Sequence, residues 1–380
     1  MISLIKKILF GAVLFACSCT GETDITDTTN QLLSLKKSVS LPLDDRSTYE
    51  FFVFQQRGDT LIVLNQPNHS LDFYSLSHEE MIYRLPIEKE GINGLDRLYV
   101  FHFHSPDSIF IFSQMLLKNS LIMDISGKVV DRIRHKEFVS DRAGLINHYG
   151  SSSAPNILMG SELHFSTLPL TNEGIDDKDY LHEHSLDIAT GDFKTYDYIN
   201  RPYYLQSHRW INQFFTRIKL GKEEWYYSWN ISDTVYHIKG QDGRLLSSKA
   251  IAMHGGNPTK PEPITADLPN KKLLQLEMES YSYGKILLDK KREVIHRLRY
   301  LPTSLPEKPG QQPNAYLSKN FEYLTYTLEG EFLGSTQFKA GTYDPRVAFL
   351  GPDGIYLPKI NPSFAGLRED NITYDVYGFK

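Results

Sequence analysis

The chain has 380 residues, with 41 Lys plus Arg against 46 Asp plus Glu and a formal net charge of −5. Hydrophobic residues make up 41% and charged residues 23%, which excludes a disordered tail, a collagen, a coiled coil and a polytopic membrane protein. The acidic balance excludes a dedicated nucleic-acid binder, whose domain carries a basic excess, and 23 Tyr with 21 Phe lean toward β structure.

Lys6 and Lys7 precede an apolar run from Ile8 to Ala16 that is too short to span roughly 30 Å of hydrocarbon. Leu14-Phe15-Ala16-Cys17 then has the pattern of a bacterial lipobox, a small residue ahead of a thiol that accepts diacylglyceryl. Residues 1–16 are therefore expected to be a signal peptide and Cys17 the lipidated residue. Cys19 is the alternative acceptor, although Ala16 rather than Leu stands three positions before it. Ser18 after Cys17 fits sorting to the outer membrane, with the body facing the periplasm or the cell surface. These two cysteines are the only ones, so no disulfide is expected in the folded part. Residues 17–31 are small, polar and acidic and read as a flexible tether.

Residues 32–380 are organised by repetition. One hairpin pattern, a Ser or Thr followed by a strand, a tight turn and another strand, recurs at Ser70, Ser120, Ser185 and Thr234. Gly127, Gly191 and Gly243 mark three of the turns, a fifth copy from Phe321 turns at Gly330, and NITYDVYGFK is a sixth half-copy. One or two further strand-like runs precede the hairpins, for example YEFFVFQQ and DTLIVLN. Four strands about every 50 residues is the signature of a propeller blade. The reading is all-β, a six-bladed β-propeller, with seven or five blades or two stacked β domains as alternatives. The last blade lacks one strand, and LKKSVSLPL near the N-terminus is expected to supply it, closing the ring and removing an open sheet edge. Two Pro-rich insertions, near 253–281 and 302–316, read as ordered loops or lids.

The lipobox, SVSLPLDD, GDTLIVLN followed by HSLDFYSL, the link EGING and SYGKILLDKKREVIHRLRYLP together resemble a family of lipoproteins from gut-type Gram-negative anaerobes. That family bears a six-bladed propeller domain of unknown function. Ile295 and His296 depart from its pattern, standing where two aromatics are expected. The resemblance implies a propeller at the outer membrane and brings no catalytic residues with it.

In a propeller the links between blades share one face with the loops joining second to third strands, and ligands bind where such loops converge. Four links are assigned to that face, and they bring His148, Arg201, Tyr203, His208, Trp210 and His254 forward as candidate ligand-binding residues. His148, His208 and His254 are also the set through which loops could hold a divalent ion, but no spacing forces them together, and no metal or other cofactor is assigned. Two His-x-His pairs, His102 with His104 and His182 with His184, fall at opposite ends of neighbouring blades and are not read as one zinc site. Asp44, Asp45, Glu90, Asp177 and Asp179 are the carboxylates considered for acid–base work. No nucleophile elbow, H-E-x-x-H, Walker A or dinucleotide fingerprint is present. The expected function is a membrane-anchored binding module for a glycan, a peptide or a partner protein, with no nucleic-acid partner. The alternative is a carbohydrate-active enzyme, a glycoside hydrolase or polysaccharide lyase, with its site at the channel mouth.

Overall fold

A computed structural model of the chain describes residues 31–47, 53–113, 120–133, 146–169, 183–196, 199, 214–256, 268–304 and 314–380. Among them, 25 strands form six antiparallel sheets. Strand β1 (Leu33–Pro42) belongs to the last sheet. Blade one is β2 (Phe54–Arg57), β3 (Thr60–Asn65), β4 (Ser70–Ser75) and β5 (Glu80–Pro86). Blade two is β6 (Val100–Ser105), β7 (Ser108–Phe112), β8 (Leu121–Met123) and β9 (Val129–Arg132). Blade three opens with two short strands, β10 (Ile146–Tyr149) and β11 (Ile157–Met159), and continues with β12 (Glu162–Pro169), β13 (Glu183–Asp187) and β14 (Phe193–Thr195). Blade four is β15 (Phe215–Gly221), β16 (Glu224–Trp229), β17 (Thr234–Gln241) and β18 (Arg244–Ala252). Blade five is β19 (Ser282–Asp289), β20 (Val294–Tyr300), β21 (Phe321–Thr327) and β22 (Phe332–Phe338). Blade six is β23 (Phe349–Gly351), β24 (Gly354–Pro358) and β25 (Asn371–Phe379), completed by β1. The protein is an all-β, six-bladed propeller.

Successive side chains of a strand point to opposite faces, and in a ring both faces of each blade are covered by neighbours. Strand β3 shows the consequence. Its Leu61 and Val63 pack toward blade six, while Ile62 and Leu64 pack toward blade two. A strand buried on both faces therefore reads as the unbroken apolar run TLIVLN rather than as an alternation. The buried apolar residues fall into six clusters, one between each pair of consecutive blades. The cluster between blades six and one closes the ring, and it contains Val39 and Leu41 from β1. Strand β1 runs antiparallel to β25, from Leu33 opposite Phe379 to Pro42 opposite Asn371, so the two ends of the chain share one sheet. This is the closure expected from LKKSVSLPL.

The hairpin pattern marks the third strands: Ser70 and Thr234 open β4 and β17, Ser120 directly precedes β8, and Ser185 lies in β13. The turn glycines behave as the hairpins require, with φ of 88° at Gly127 and 79° at Gly243.

Two features depart from the sequence reading. The first strand of blade three is broken, because β10 pairs with Ser166–Pro169 and β11 with Glu162–His164 of the same neighbour. The intervening GSSSAPN segment leaves the sheet and carries an internal bridge between Ser151 and Ala154. The first Pro-rich insertion also holds a helix, α1 (Asn270–Glu279), where an irregular loop was expected. Proline governs only the segment before Pro269. The run NKKLLQLEME after it consists largely of strong helix formers. Helix α1 touches a short helix in the second insertion, α2 (Ala315–Ser318), whose N-cap Asn314 accepts from the Tyr316 amide at 3.0 Å. No helix among the described residues is long and apolar enough to cross a membrane.

Candidate functional site

Strand order sets the geometry. First strands run away from the link face and second strands run back, so the starts of first strands and the ends of second strands lie together at the channel mouth. A cavity of 380 Å³ opens among such positions: Phe214, Phe215 and Thr216 at the start of β15, Tyr283 to Lys285 at the start of β19, Asn230 after β16 and Tyr300 at the end of β20. Ser153 of the blade-three excursion, Tyr316 of α2 and Arg346 of the link into blade six complete its wall. Its volume falls within the usual range of small-molecule sites, roughly 300–1,000 Å³.

Phe214, Phe215, Tyr283, Tyr300 and Tyr316 give the walls their aromatic surface. Tyr283 and Tyr300 are fully buried, and Tyr300 meets Tyr316 edge-on with ring centroids 5.2 Å apart. Burial holds the Tyr300 hydroxyl well above its ordinary pKa, so it is a neutral hydrogen-bonding group at any working pH. Gly284 keeps the wall open beside Leu298, since a Cβ there would lie 2.6 Å from Leu298 Cδ2.

Polar groups are few and placed. Asn230 is only 8% exposed, and its side-chain oxygen Oδ1 has no hydrogen-bond partner among the described residues. A buried amide oxygen left unsatisfied costs about 1–3 kcal/mol, a cost that natural interiors rarely carry without a reason. Arg346 sits at the rim, held by Asp344 at 2.6 Å.

Lys285 reaches into the channel. Its side chain starts on β19 in blade five, yet its Nζ donates to Ser152 Oγ of blade three and to the Ala348 carbonyl of blade six, each at 2.9 Å. It also lies 4.8 Å from the centroid of the Phe54 ring in blade one. Contacts to blades three, six and one from blade five can be made only across the ring. Lys285 thus plugs the channel. The residue lines the mouth cavity and a 170 Å³ channel cavity, and the partners of its Nζ, Ser152, Ala348 and Phe54, all line the channel cavity. Burial pulls its ammonium down to a pKa of about 7, opposed weakly by the distant Asp344.

The GSSSAPN excursion supports this arrangement. The Ser153 carbonyl accepts from the Arg217 amide at 2.9 Å and from Thr216 Oγ1 at 3.1 Å, and the Pro155 carbonyl accepts from Arg217 Nη2 at 2.9 Å. Arg217 also pairs with Glu183 at 3.1 Å, both fully buried, and Glu183 accepts from the Tyr227 hydroxyl at 2.7 Å.

Of the residues expected at the site, Arg201, Tyr203, His208 and Trp210 lie outside the described residues, as do Cys17, His182, Asp177 and Asp179. His148 lies on strand β10, opposite Thr167, rather than in a link loop, because the excursion begins only after Tyr149. His254 follows β18 in the link to blade five; its carbonyl accepts from Arg299 Nη1, and its buried Nδ1 has no partner among the described residues. The described lining of the 380 Å³ cavity contains neither His148 nor His254.

His102, His184 and Asp44 have structural partners. His102 is buried on β6, where burial lowers its pKa to about 3 and its Nε2 accepts from the Leu158 amide at 3.3 Å. His184 is held between two threonine hydroxyls, Thr167 at 2.8 Å and Thr195 at 3.2 Å. Asp44 is clamped by both terminal nitrogens of Arg84, which also bonds Asp72, and this keeps the Asp44 carboxyl well below the usual range. Among the described residues no group of three or more His, Cys, Asp or Glu is placed to hold a metal.

Neither Lys285 nor Asn230 stood out in the sequence. Lys285 had one signal: it is a lysine directly before the apolar run Ile286-Leu287-Leu288 of its strand, SYGKILLD.

Comparison with known proteins places the fold. The family model described as a domain of unknown function, DUF4221, matches residues 34–325. A crystal structure of a DUF4221 family member from Bacteroides vulgatus is similar with a TM-score of 0.73 at 17% identity, covering 92% of this chain and 98% of that one. A Bacteroides fragilis protein described as exported is similar with a TM-score of 0.56 at 11% identity, covering 94% of this chain and 98% of that one. No curated protein matches. A family match across most of the propeller, together with six blades closed by the N-terminal strand, shows that this chain belongs to the DUF4221 family.

Proposed function

We propose that the protein is a lipid-anchored binding module of the cell envelope that holds a small ligand, or one terminal group of a glycan or peptide, in the link-face cavity. The observation that carries this reading is the 380 Å³ cavity at the channel mouth, lined by the rings of Phe214, Phe215, Tyr283, Tyr300 and Tyr316. Aromatic faces of this kind stack on a sugar ring or an apolar side chain. The described lining offers aromatic, amide, hydroxyl and cationic groups. Glycoside cleavage calls for two carboxylates, and this lining supplies none, which favours binding over turnover.

The test is a panel of oligosaccharides and short peptides scored by ligand-induced thermal stabilisation. A ligand at one hundred times its Kd adds about 2.7 kcal/mol. A hit is expected to lose that stabilisation when Tyr316→Ala removes one wall of the cavity. Hits that ignore the substitution would place binding elsewhere.

The anchor is supported by the lipobox ending at Cys17 and by the description of the Bacteroides fragilis relative as exported. Cys17→Ser is expected to move the protein from the membrane fraction to the soluble fraction, whereas Cys19→Ser leaves it in place. The opposite result would make Cys19 the lipidated residue, and membrane association of both variants would remove the lipid anchor from the proposal.

A further inference from the structure

We infer that the propeller channel binds a monovalent anion of halide size, held between the Lys285 ammonium and the Ser152 hydroxyl; it is a different site from the mouth cavity and does not rest on the reading of that cavity. The three partners of Lys285 Nζ are Ser152 Oγ, the Ala348 carbonyl and the Phe54 ring. All three belong to residues that line the 170 Å³ channel cavity, so the ammonium sits among the walls of that cavity. One water needs only about 10–15 Å³ of such space, so the cavity has room for a halide with water around it.

Lys285 is 5% exposed and forms no ion pair among the described residues. Two neutral oxygens and an aromatic face solvate its charge without balancing it. Elsewhere the chain pairs its buried cations, Arg217 with Glu183 and Arg299 with Glu322. The ammonium has three N–H groups and gives two of them to Ser152 and Ala348. Ser152 Oγ accepts one of these, and its own O–H has no acceptor among the described residues. An N–H and an O–H are thus left to donate from atoms 2.9 Å apart, and an anion that accepts both also balances the charge.

The described lining of the channel cavity holds three basic residues, Arg217, Lys219 and Lys285, and no carboxylate. Two of the three are accounted for. Arg217 is neutralised by Glu183 at 3.1 Å, while Lys219 Nζ donates to the Lys222 carbonyl at 2.6 Å and lies 3.9 Å from the Trp225 ring centroid. Asp344, the acid that acts on Lys285 at longer range, is held by Arg346 at 2.6 Å. One positive charge is left over beside the cavity, and this selects a single negative charge. A sulfate or phosphate dianion would bring a second charge with no cation to meet it. The apolar walls, Phe54, Ile157, Ile286, Leu287 and Phe349, also offer no side-chain donors to the further oxygens of an oxyanion.

The experiment soaks crystals of the full chain in sodium bromide and locates bromine by its anomalous scattering. A peak within hydrogen-bond reach of both Lys285 Nζ and Ser152 Oγ is expected. In solution, about 0.1 M sodium chloride should raise the melting temperature by about 2 °C or more over sodium gluconate of equal ionic strength, since the many hydroxyls of gluconate find no partners in this lining. Lys285→Met should abolish that rise, and Ser152→Ala should increase the chloride concentration that gives half of it by about tenfold. Bromide at the surface only, or water alone between Lys285 and Ser152, overturns the proposal. So does a chloride-dependent rise that persists in folded Lys285→Met. A channel peak with no rise in solution shows binding at crystal concentration only and overturns it as well. Should Lys285→Met fail to fold, the bromide map and the Ser152→Ala titration decide. None of these failures touches the mouth cavity, whose own test is the ligand panel with Tyr316→Ala.

Discussion

Removal of residues 1–43 is expected to leave no stably folded propeller, whereas removal of residues 1–31 leaves the melting temperature unchanged. The difference lies in β1. Its ten residues pair along the whole of β25, and Leu33, Val39 and Leu41 are each buried to 1% exposure or less. Burying three such side chains is worth about 5–9 kcal/mol, comparable to the entire stability of an ordinary domain. The loss is also cooperative. Without β1 the outer edge of β25 is exposed, and the cluster joining blades six and one loses two members. The shorter truncation stops before Leu32, whose amide and carbonyl bond to Ser335 and Lys380. Equal melting temperatures for the two truncations would mean that the terminal strand does not close the ring.

Glu183→Gln is expected to destabilise the protein by about 3–5 kcal/mol, because it leaves the Arg217 guanidinium buried without its counter-charge. The two groups have no exposure to water, and Glu183 also receives the Tyr227 hydroxyl and the Ser166 hydroxyl, so solvent cannot compensate. Replacing both partners, Glu183→Leu with Arg217→Met, should recover much of the loss, since an apolar pair of similar volume avoids the desolvation cost. Urea denaturation of the two single variants and the double variant measures the coupling directly. A single-variant loss below about 1 kcal/mol would show that the pair is hydrated and that the seam between blades three and four is looser than described.

The architecture was legible because a propeller repeats itself. Each blade must bury both faces against its neighbours, so each prints the same strand–turn–strand pattern, and hairpin glycines such as Gly127 and Gly243 punctuate it. The missing strand of the last blade and the spare strand at the N-terminus could be matched by counting. The helix α1 was obscured by the prolines ahead of it, although LLQLEME has the composition of a helix. The site was harder to read for a physical reason. Its walls come from blades three, four, five and six, and no local spacing encodes that convergence. The link loops display His, Arg, Tyr and Trp, whereas Asn230 sits unmarked at a strand end and Lys285 lies within a strand. The break in the first strand of blade three is the least legible feature: GSSSAPN reads as an ordinary link, yet it reaches across the channel to meet Lys285.

The claim that the link-face cavity is a binding site is tested most directly by Asn230→Leu, measured by thermal melting with and without the ligand identified by the panel. Leucine removes a buried oxygen that has no partner among the described residues, so the variant without added ligand should melt higher, by about 2–4 °C per kcal/mol recovered. The same change puts an apolar side chain in place of a polar one in the cavity lining, so the ligand-induced rise should shrink or vanish. A variant that melts lower than the natural protein and still gains full stabilisation from the ligand would contradict the account.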